Sequence, residues 1–157
     1  MYRYHHIALA VPRLEAGMEE IGGALGLTWR PVQQTDTTVR DADGVVHPAP
    51  VRVTYSAGAA PAVELFEAIP GTPLDVPAGS PFHHIGVWVD DLAGESARLE
   101  AAGWSFFAGT GVGRQSLYRG PSGLVLELCD VTCDRPWLCD LFPADSPHFR
   151  PVPDPVG

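Results

Sequence analysis

Two stretches decide how this chain is read: Tyr4-His5-His6-Ile7-Ala8-Leu9-Ala10-Val11 and Phe82-His83-His84-Ile85-Gly86-Val87-Trp88-Val89. They share one pattern, an aromatic residue, a His pair, and an apolar run ending in Val. Each is followed by a helix-like stretch, beginning at Arg13-Leu14-Glu15-Ala16 or at Asp91-Leu92-Ala93-Gly94. Each half also closes on an acidic strand, Val63-Glu64-Leu65-Phe66-Glu67 or Leu126-Glu127-Leu128-Cys129-Asp130. The chain reads as two copies of one supersecondary unit, each carrying a His strand and a Glu strand.

Outward from the first His strand, at 4–11, Pro12 stops the extended run. Leu14, Met18, Ile21 and Leu25 follow at spacings of 4, 3 and 4, which predicts a helix over 14–25 closed by Gly26. A second strand is expected at 27–34, a polar loop at 35–44 ending in the Asp43-Gly44 turn, and strands at 51–55 and 62–69. The order is β-α-β-β-β. The second half repeats it, with a strand at 82–89, a helix at 92–102, and strands at 104–108, 115–119 and 124–130. Residues 70–81 hold Pro70, Gly71, Pro73, Pro77, Gly79 and Pro81, and read as a proline-stiffened linker. One domain is thus expected over 1–131, built of a module at 1–69, the linker 70–81 and a module at 82–131. A Pro-rich tail follows at 132–157. Its strong apolar group, Trp137, Leu138, Leu141 and Phe142, is expected to pack back on the body or on a second subunit, with 151–157 loose.

At 157 residues the chain fits one domain able to stand without staples. Its composition, 45% hydrophobic and 18% charged, is that of a soluble globular protein. No apolar run approaches the ~20 residues of a membrane span, and Met1-Tyr2-Arg3-Tyr4 does not open a signal peptide, so a cytoplasmic location is expected. The net charge of −9 disfavours nucleic acid and anionic membrane, both of which call for basic patches. Cys129, Cys133 and Cys139 show no C-x-x-C spacing and read as reduced thiols rather than a zinc knuckle.

Side chains alternate across a strand with period two. His6, Ala8 and Ala10 therefore share one face of the first strand, and Ile7, Leu9 and Val11 the other, expected to lie beneath a helix. The same parity sets His84, Gly86 and Trp88 opposite Ile85, Val87 and Val89. It also sets Glu64 and Phe66 opposite Val63 and Leu65, and Glu127 opposite Leu126 and Leu128. If the sheets curl into one cup, His6, Glu64, His84 and Glu127 converge. Two imidazoles and two carboxylates suit a divalent metal and leave positions open for water or substrate. Ala8, Ala10 and Gly86 leave room beside it, and Phe66 and Trp88 wall that room. Taken singly, each of these residues is more often a satisfied or surface group than a ligand. His5 and His83 fall on the other parity.

These motifs resemble the vicinal oxygen chelate superfamily, which takes in glyoxalases, methylmalonyl-CoA epimerases, extradiol dioxygenases, and fosfomycin and bleomycin resistance proteins. The resemblance is carried by His6-Ile7-Ala8-Leu9-Ala10-Val11, Leu25-Gly26-Leu27, Val63-Glu64-Leu65-Phe66-Glu67, His84 through Leu92, and Gly120-Pro121-Ser122-Gly123 through Leu128. It spans residues 4–130. It implies an α+β fold in which two βαβββ modules form a curved, mixed β-sheet cup around a metal site, held by His6, Glu64, His84 and Glu127. The ion is expected to be divalent, one of Ni, Co, Zn, Mn, Fe or Mg. Filling all four positions is similar to the glyoxalases and epimerases. The dioxygenases use two His and one carboxylate, and the antibiotic-binding branch has typically lost its ligands. One departure stands out. Epimerases carry a glutamate base in a Pro-Glu-x-Gly stretch, where this chain has His47-Pro48-Ala49-Pro50.

The expectation is a metal-dependent lyase or isomerase, glyoxalase- or epimerase-like. It would chelate a small oxygenated substrate and abstract a proton to give an enolate or enediolate. Glu127, and after it Glu64, are the candidate bases, with His47 as an outside candidate for a second. The alternatives are a ring-cleaving iron dioxygenase and a non-catalytic small-molecule binding and resistance protein. The partner is a small-molecule substrate. Homodimers are common for this architecture, though nothing in the sequence fixes one. Because both His ligands must be neutral to bind, affinity is expected to fall as pH drops through roughly 6.

Overall fold

The computed structural model describes residues 2–58, 60–110, 115–132, 140–147 and 149–150. The first half runs β1 (Arg3–Val11), α1 (Leu14–Leu25), β2 (Gln33–Asp41), β3 (Val46–Tyr55) and β4 (Ala62–Glu67). The second runs β5 (Phe82–Val89), α2 (Leu92–Ala101), β6 (Ser105–Thr110), β7 (Gln115–Arg119) and β8 (Val125–Asp130). The eight strands close into a barrel in the order β1-β4-β3-β2-β6-β7-β8-β5. In each half the first strand pairs parallel with the last, β1 with β4 and β5 with β8. The halves join antiparallel along β1–β5 and again along β2–β6. The expected α+β cup forms, and its rims are sealed to each other.

The helices sit on the outside. The first turn of α1 has no side-chain cap of its own, and Glu67 supplies one from β4, its Oε2 accepting the Leu14 N–H at 3.0 Å. Gly26 ends the helix in the left-handed conformation, with φ 67°. Leu14 packs with Val11 and Leu65, backed by Met18, Ile21 and Trp29. Asp91 caps α2 by accepting the Gly94 N–H at 2.9 Å. Leu99 then anchors that helix among Val87, Val89, Tyr118 and Leu128. Among the described residues no helix is long and apolar enough to cross a membrane.

One element differs from the sequence reading. The second strand was expected at 27–34, with 35–44 a polar loop. Instead β2 runs Gln33–Asp41 and forms a long hairpin with β3, which begins at Val46. Of the expected strand, Trp29 makes an isolated bridge to Ser56, and Gln33 and Gln34 open β2. The hydrophobic signal is weak because β2 has solvent on most of its length and buries just Val39 fully. Its Thr-rich stretch, Thr35-Asp36-Thr37-Thr38, is β-branched enough to hold an extended chain. The Asp43-Gly44 turn does form, with Gly44 at φ 83°.

The barrel interior is the better buried side. Ala8, Ala10, Tyr55, Phe66, Trp88 and Cys129 form its main cluster. Ile7, expected beneath a helix, is 43% exposed, because α1 lies over β4 and the near end of β1. The linker joins the core through Leu74 and Val76.

The tail enters the barrel as well. Leu141 and Phe142 are buried in the same cluster. Phe142 stacks on Trp88 with ring centroids 4.3 Å apart, and the Trp88 Nε1–H donates to the Leu141 carbonyl at 3.1 Å. Arg30 grips Asp140 through two hydrogen bonds of 2.5 and 2.7 Å. Trp137 and Leu138, expected to act with them, lie outside the described residues, as do 151–157, Cys133 and Cys139. Phe142→Ala removes a buried aromatic and its stack. The expected cost is about 3–5 kcal/mol, measured as a lower urea midpoint at unchanged slope. An unchanged midpoint would make the tail a passive cover.

Candidate metal centre

Strand register puts the four candidate ligands on neighbouring strands. Across β4, β1 and β5, Glu64 pairs with Ala8 and Ala8 with His84. Across β1, β5 and β8, His6 pairs with Gly86 and Gly86 with Glu127. Each row thus has an imidazole at one end, a carboxylate at the other and a small residue between. One donor atom from each of the four residues lies within 4.8 Å of the other three, and all four are buried in the barrel.

The distances suit a shared cation. His6 Nε2 is 3.0 Å from His84 Nε2, 2.9 Å from Glu64 Oε2 and 3.3 Å from Glu127 Oε2. His84 Nε2 is 3.5 Å from each of the same two carboxylate oxygens. Bonds of about 2.1 Å to a tetrahedral or octahedral ion would set adjacent donors about 3.0–3.4 Å apart. Two carboxylates also balance a divalent charge. The residues present therefore fit such an ion.

The small residues have a sterically defined role. A Cβ on Gly86 would lie 2.2 Å from His6 Cε1 and 2.5 Å from His6 Nε2. The space beside the site is thus filled by the His6 ring itself. Gly86→Ala is expected to push that ring aside and weaken metal binding at least ~10-fold, the lower end of what disturbing a ligand's support costs. Competition against a chromophoric chelator measures it. Wild-type affinity in that variant would show that the ring can shift without loss.

Charge reinforces the cluster. Burial disfavours the charged form of His6, but Glu64 and Glu127 outweigh it and push the imidazole up to about 10. His84 is likewise raised, burial opposing and Glu127 leading. Burial would lift both carboxyls, yet the facing imidazoles hold Glu64 and Glu127 well below the usual carboxylate range. The two acids are supported differently. The Tyr55 hydroxyl donates to Glu64 Oε1 at 2.8 Å, while Glu127 Oε2 accepts from the Cys129 thiol at 3.1 Å.

His5 and His83 also turn inward, against strict alternation. In the β1–β5 ladder the register slips once between Tyr4 and His6 and once opposite His83. Each slip is a bulge that puts two residues of one strand against one of the other, so neighbouring side chains share a face. His5 and His83 are accordingly buried. His6 Nδ1 lies 2.8 Å from His5 Nδ1, and His84 Nδ1 lies 2.8 Å from His83 Nδ1. His83 Nε2 is 2.8 Å from the Pro73 carbonyl. Burial and the His84 charge pull His83 down to about 4. The doubled His was the available signal in the sequence; period-two counting hid it.

His47 is not brought to this group. It lies on β3 opposite Val39, with its Nε2 2.8 Å from Asp41 Oδ2. Eight residues separate it from Tyr55, roughly 27 Å along an extended strand.

No curated protein matches the chain in sequence. Among solved structures, it is similar to a methylmalonyl-CoA epimerase in complex with methylmalonyl-CoA and NH4+, at TM-score 0.58 and 17% identity, covering 83% of this chain and 94% of that one. It is similar to methylmalonyl-CoA epimerase from Mycobacterium tuberculosis, at TM-score 0.52 and 20% identity, covering 81% and 86%. A mutant of 4-hydroxymandelate synthase from Streptomyces coelicolor matches at TM-score 0.50 and 16% identity, over 82% of this chain and 48% of the other. At such identities the likeness is one of fold. The sequence itself goes further, since the family model described as glyoxalase/bleomycin resistance protein/dioxygenase superfamily matches residues 5–118, through both His strands and on to β7. The duplicated barrel thus has a family as well as a shape: the chain belongs to the glyoxalase/bleomycin resistance protein/dioxygenase superfamily.

Proposed function

We propose that this chain is a metal-dependent lyase or isomerase, with His6, Glu64, His84 and Glu127 as ligands of one divalent ion. The observation that carries the reading is the complete set of four donors, two from each half, within 4.8 Å of one another. When bound, the ion supplies Lewis acidity to two oxygens of a small oxoacid, thioester or hydroxycarbonyl substrate. Four protein ligands would leave two positions on a six-coordinate ion, enough for a bidentate substrate. A site that must also take dioxygen is better served by three. That count favours proton transfer over oxygen insertion.

The residues then divide the work. His6 and His84 would present bare Nε2 atoms once the ion has displaced their protons. Phe66, Trp88 and Tyr55, buried in the barrel, wall the space beside the four donors. Glu127 is the first candidate for taking the α-proton and Glu64 the second. The Tyr55 hydroxyl holds Glu64 in place, whereas Glu127 is tied by a thiol, a weak donor. We assign no step to His47, which Asp41 engages.

The test supplies candidate hydroxycarbonyl, 2-oxoacid and acyl-thioester substrates in deuterated water and follows the α-carbon by NMR. Exchange that depends on added metal supports the proposal. Turnover that consumes dioxygen stoichiometrically, with no deuterium entering the carbon skeleton, would move the chain to the dioxygenases. Failure of the purified protein to take up any divalent ion at neutral pH would leave a small-molecule binder.

A further inference from the structure

We propose that His5 and His83 are positioning residues of the metal centre, each accepting the Nδ1–H of the liganding imidazole that follows it. The inference rests on the ligand assignment above and adds a second pair of histidines to it. Its ground is a chain of polar atoms in which each partner restricts the next.

The chain starts at the linker. The Pro73 carbonyl can only accept, so the His83 nitrogen 2.8 Å away must carry a hydrogen on Nε2. A neutral His83 then has a bare Nδ1. The His84 Nδ1 that faces it at 2.8 Å must donate, and one proton is all that fits between the two nitrogens. With its hydrogen on Nδ1, a neutral His84 has its lone pair on Nε2. That atom is the one aimed at His6, Glu64 and Glu127. A carbonyl in the linker thereby sets the tautomer of a ligand through an intermediate ring. Metal-bound histidines are commonly oriented by a carboxylate, carbonyl or water on the far nitrogen. Here an imidazole has that place.

The first half repeats the ring-to-ring contact. His6 Nδ1 faces His5 Nδ1 at 2.8 Å, and His6 Nε2 faces the cluster. Trp88 packs against the His5 ring, with centroids 4.2 Å apart. Both pairs depend on a bulge, since regular alternation would send the first His of each outward. Two irregularities in one ladder, each delivering the same ring-to-ring bond, are not needed for packing alone. An apolar residue would fill either place.

The experiment compares zinc affinity, by chelator competition, in the wild-type chain, His83→Leu and His83→Asn. Leu fills the space without accepting a hydrogen bond. Asn puts Oδ1 near the place of the ring Nδ1 and can accept. Leu is expected to weaken binding ~10–100-fold, and Asn to recover most of that loss. His5→Leu and His5→Asn are expected to behave alike. Wild-type affinity in both Leu variants would overturn the proposal, as would Asn variants as weak as Leu. A second measurement needs no substitution. Nitrogen-15 spectra of the zinc-loaded wild-type protein should show His5 and His83 bare at Nδ1, and His83 protonated at Nε2. The reverse pattern would overturn it even if every variant misfolds. A wild-type chain that binds no zinc or other divalent ion at all is a separate result, which removes the metal centre itself and this role with it.

Discussion

Glu127→Gln is expected to yield a chain that exchanges substrate α-protons about 10²–10⁴-fold more slowly than wild type at saturating metal. Tethering distinguishes the two acids. Both carboxylates are buried, and both face the imidazoles, yet they are not equally held. Glu64 receives a full hydrogen bond from a phenol that is itself buried in the barrel. Glu127 receives one from a thiol, whose S–H is a weak donor. A carboxylate that must swing from ion to substrate loses less when its other tie is weak. Glutamine keeps the shape and an oxygen ligand but has no basic site for a proton. Glu64→Gln should instead show its effect first in metal affinity. Parallel measurement of zinc uptake and deuterium exchange in the two variants separates these roles. Exchange intact in Glu127→Gln and absent in Glu64→Gln would reverse them.

The second large effect concerns pH in the metal-free protein. The His6 pKa is raised from 6.5 to about 10 on folding, so its contribution is fully present below pH 6.5 and is lost as pH rises through about 10. Glu64 and Glu127 are depressed, so theirs is present above their ordinary pKa of 4.5 and is lost as pH falls through the lowered values. The metal-free protein should thus be most stable between about pH 4.5 and 6.5. Alkaline pH leaves two buried carboxylates facing neutral rings. A loss of ~3–5 kcal/mol, as for other broken buried pairs, lowers Tm by on the order of 10 °C in a chain of this size. With an ion in place, its charge replaces that of the imidazoliums and the alkaline loss should vanish. Melting curves with EDTA and with zinc, at pH 6 and pH 10, supply the comparison. Equal alkaline losses in both would show that the ion does not sit among these groups. The same linkage moves the pH dependence of binding. Affinity should keep rising well above pH 6, because loading must displace the His6 proton.

Much of this was legible in the residues. The duplicated His and Glu strands announced the module pattern, and period-two counting brought His6, Glu64, His84 and Glu127 to one face. What period two could not convey was its own exceptions. A bulge is a local agreement between two strands, and neither strand alone encodes it, so His5 and His83 were placed outside. Strand β2 was hidden for another reason. A strand with one fully buried residue, Val39, has no hydrophobic signature to find. The Glu67 cap on α1 and the Pro73 carbonyl beneath His83 join residues distant in sequence, and pattern does not reach them.

The ring of His6 occupies the volume that a side chain at position 86 would need. On the proposed ligand set, holding an ion would therefore depend on five positions, four that donate and one that stays bare. A descendant that kept both imidazoles and both carboxylates, but gained a methyl group opposite the first of them, would bind an ion more weakly while its ligand inventory still read as complete. If the chain is the catalyst proposed, the route from catalyst to carrier in such a lineage could begin with one substitution at a residue that donates to no ion.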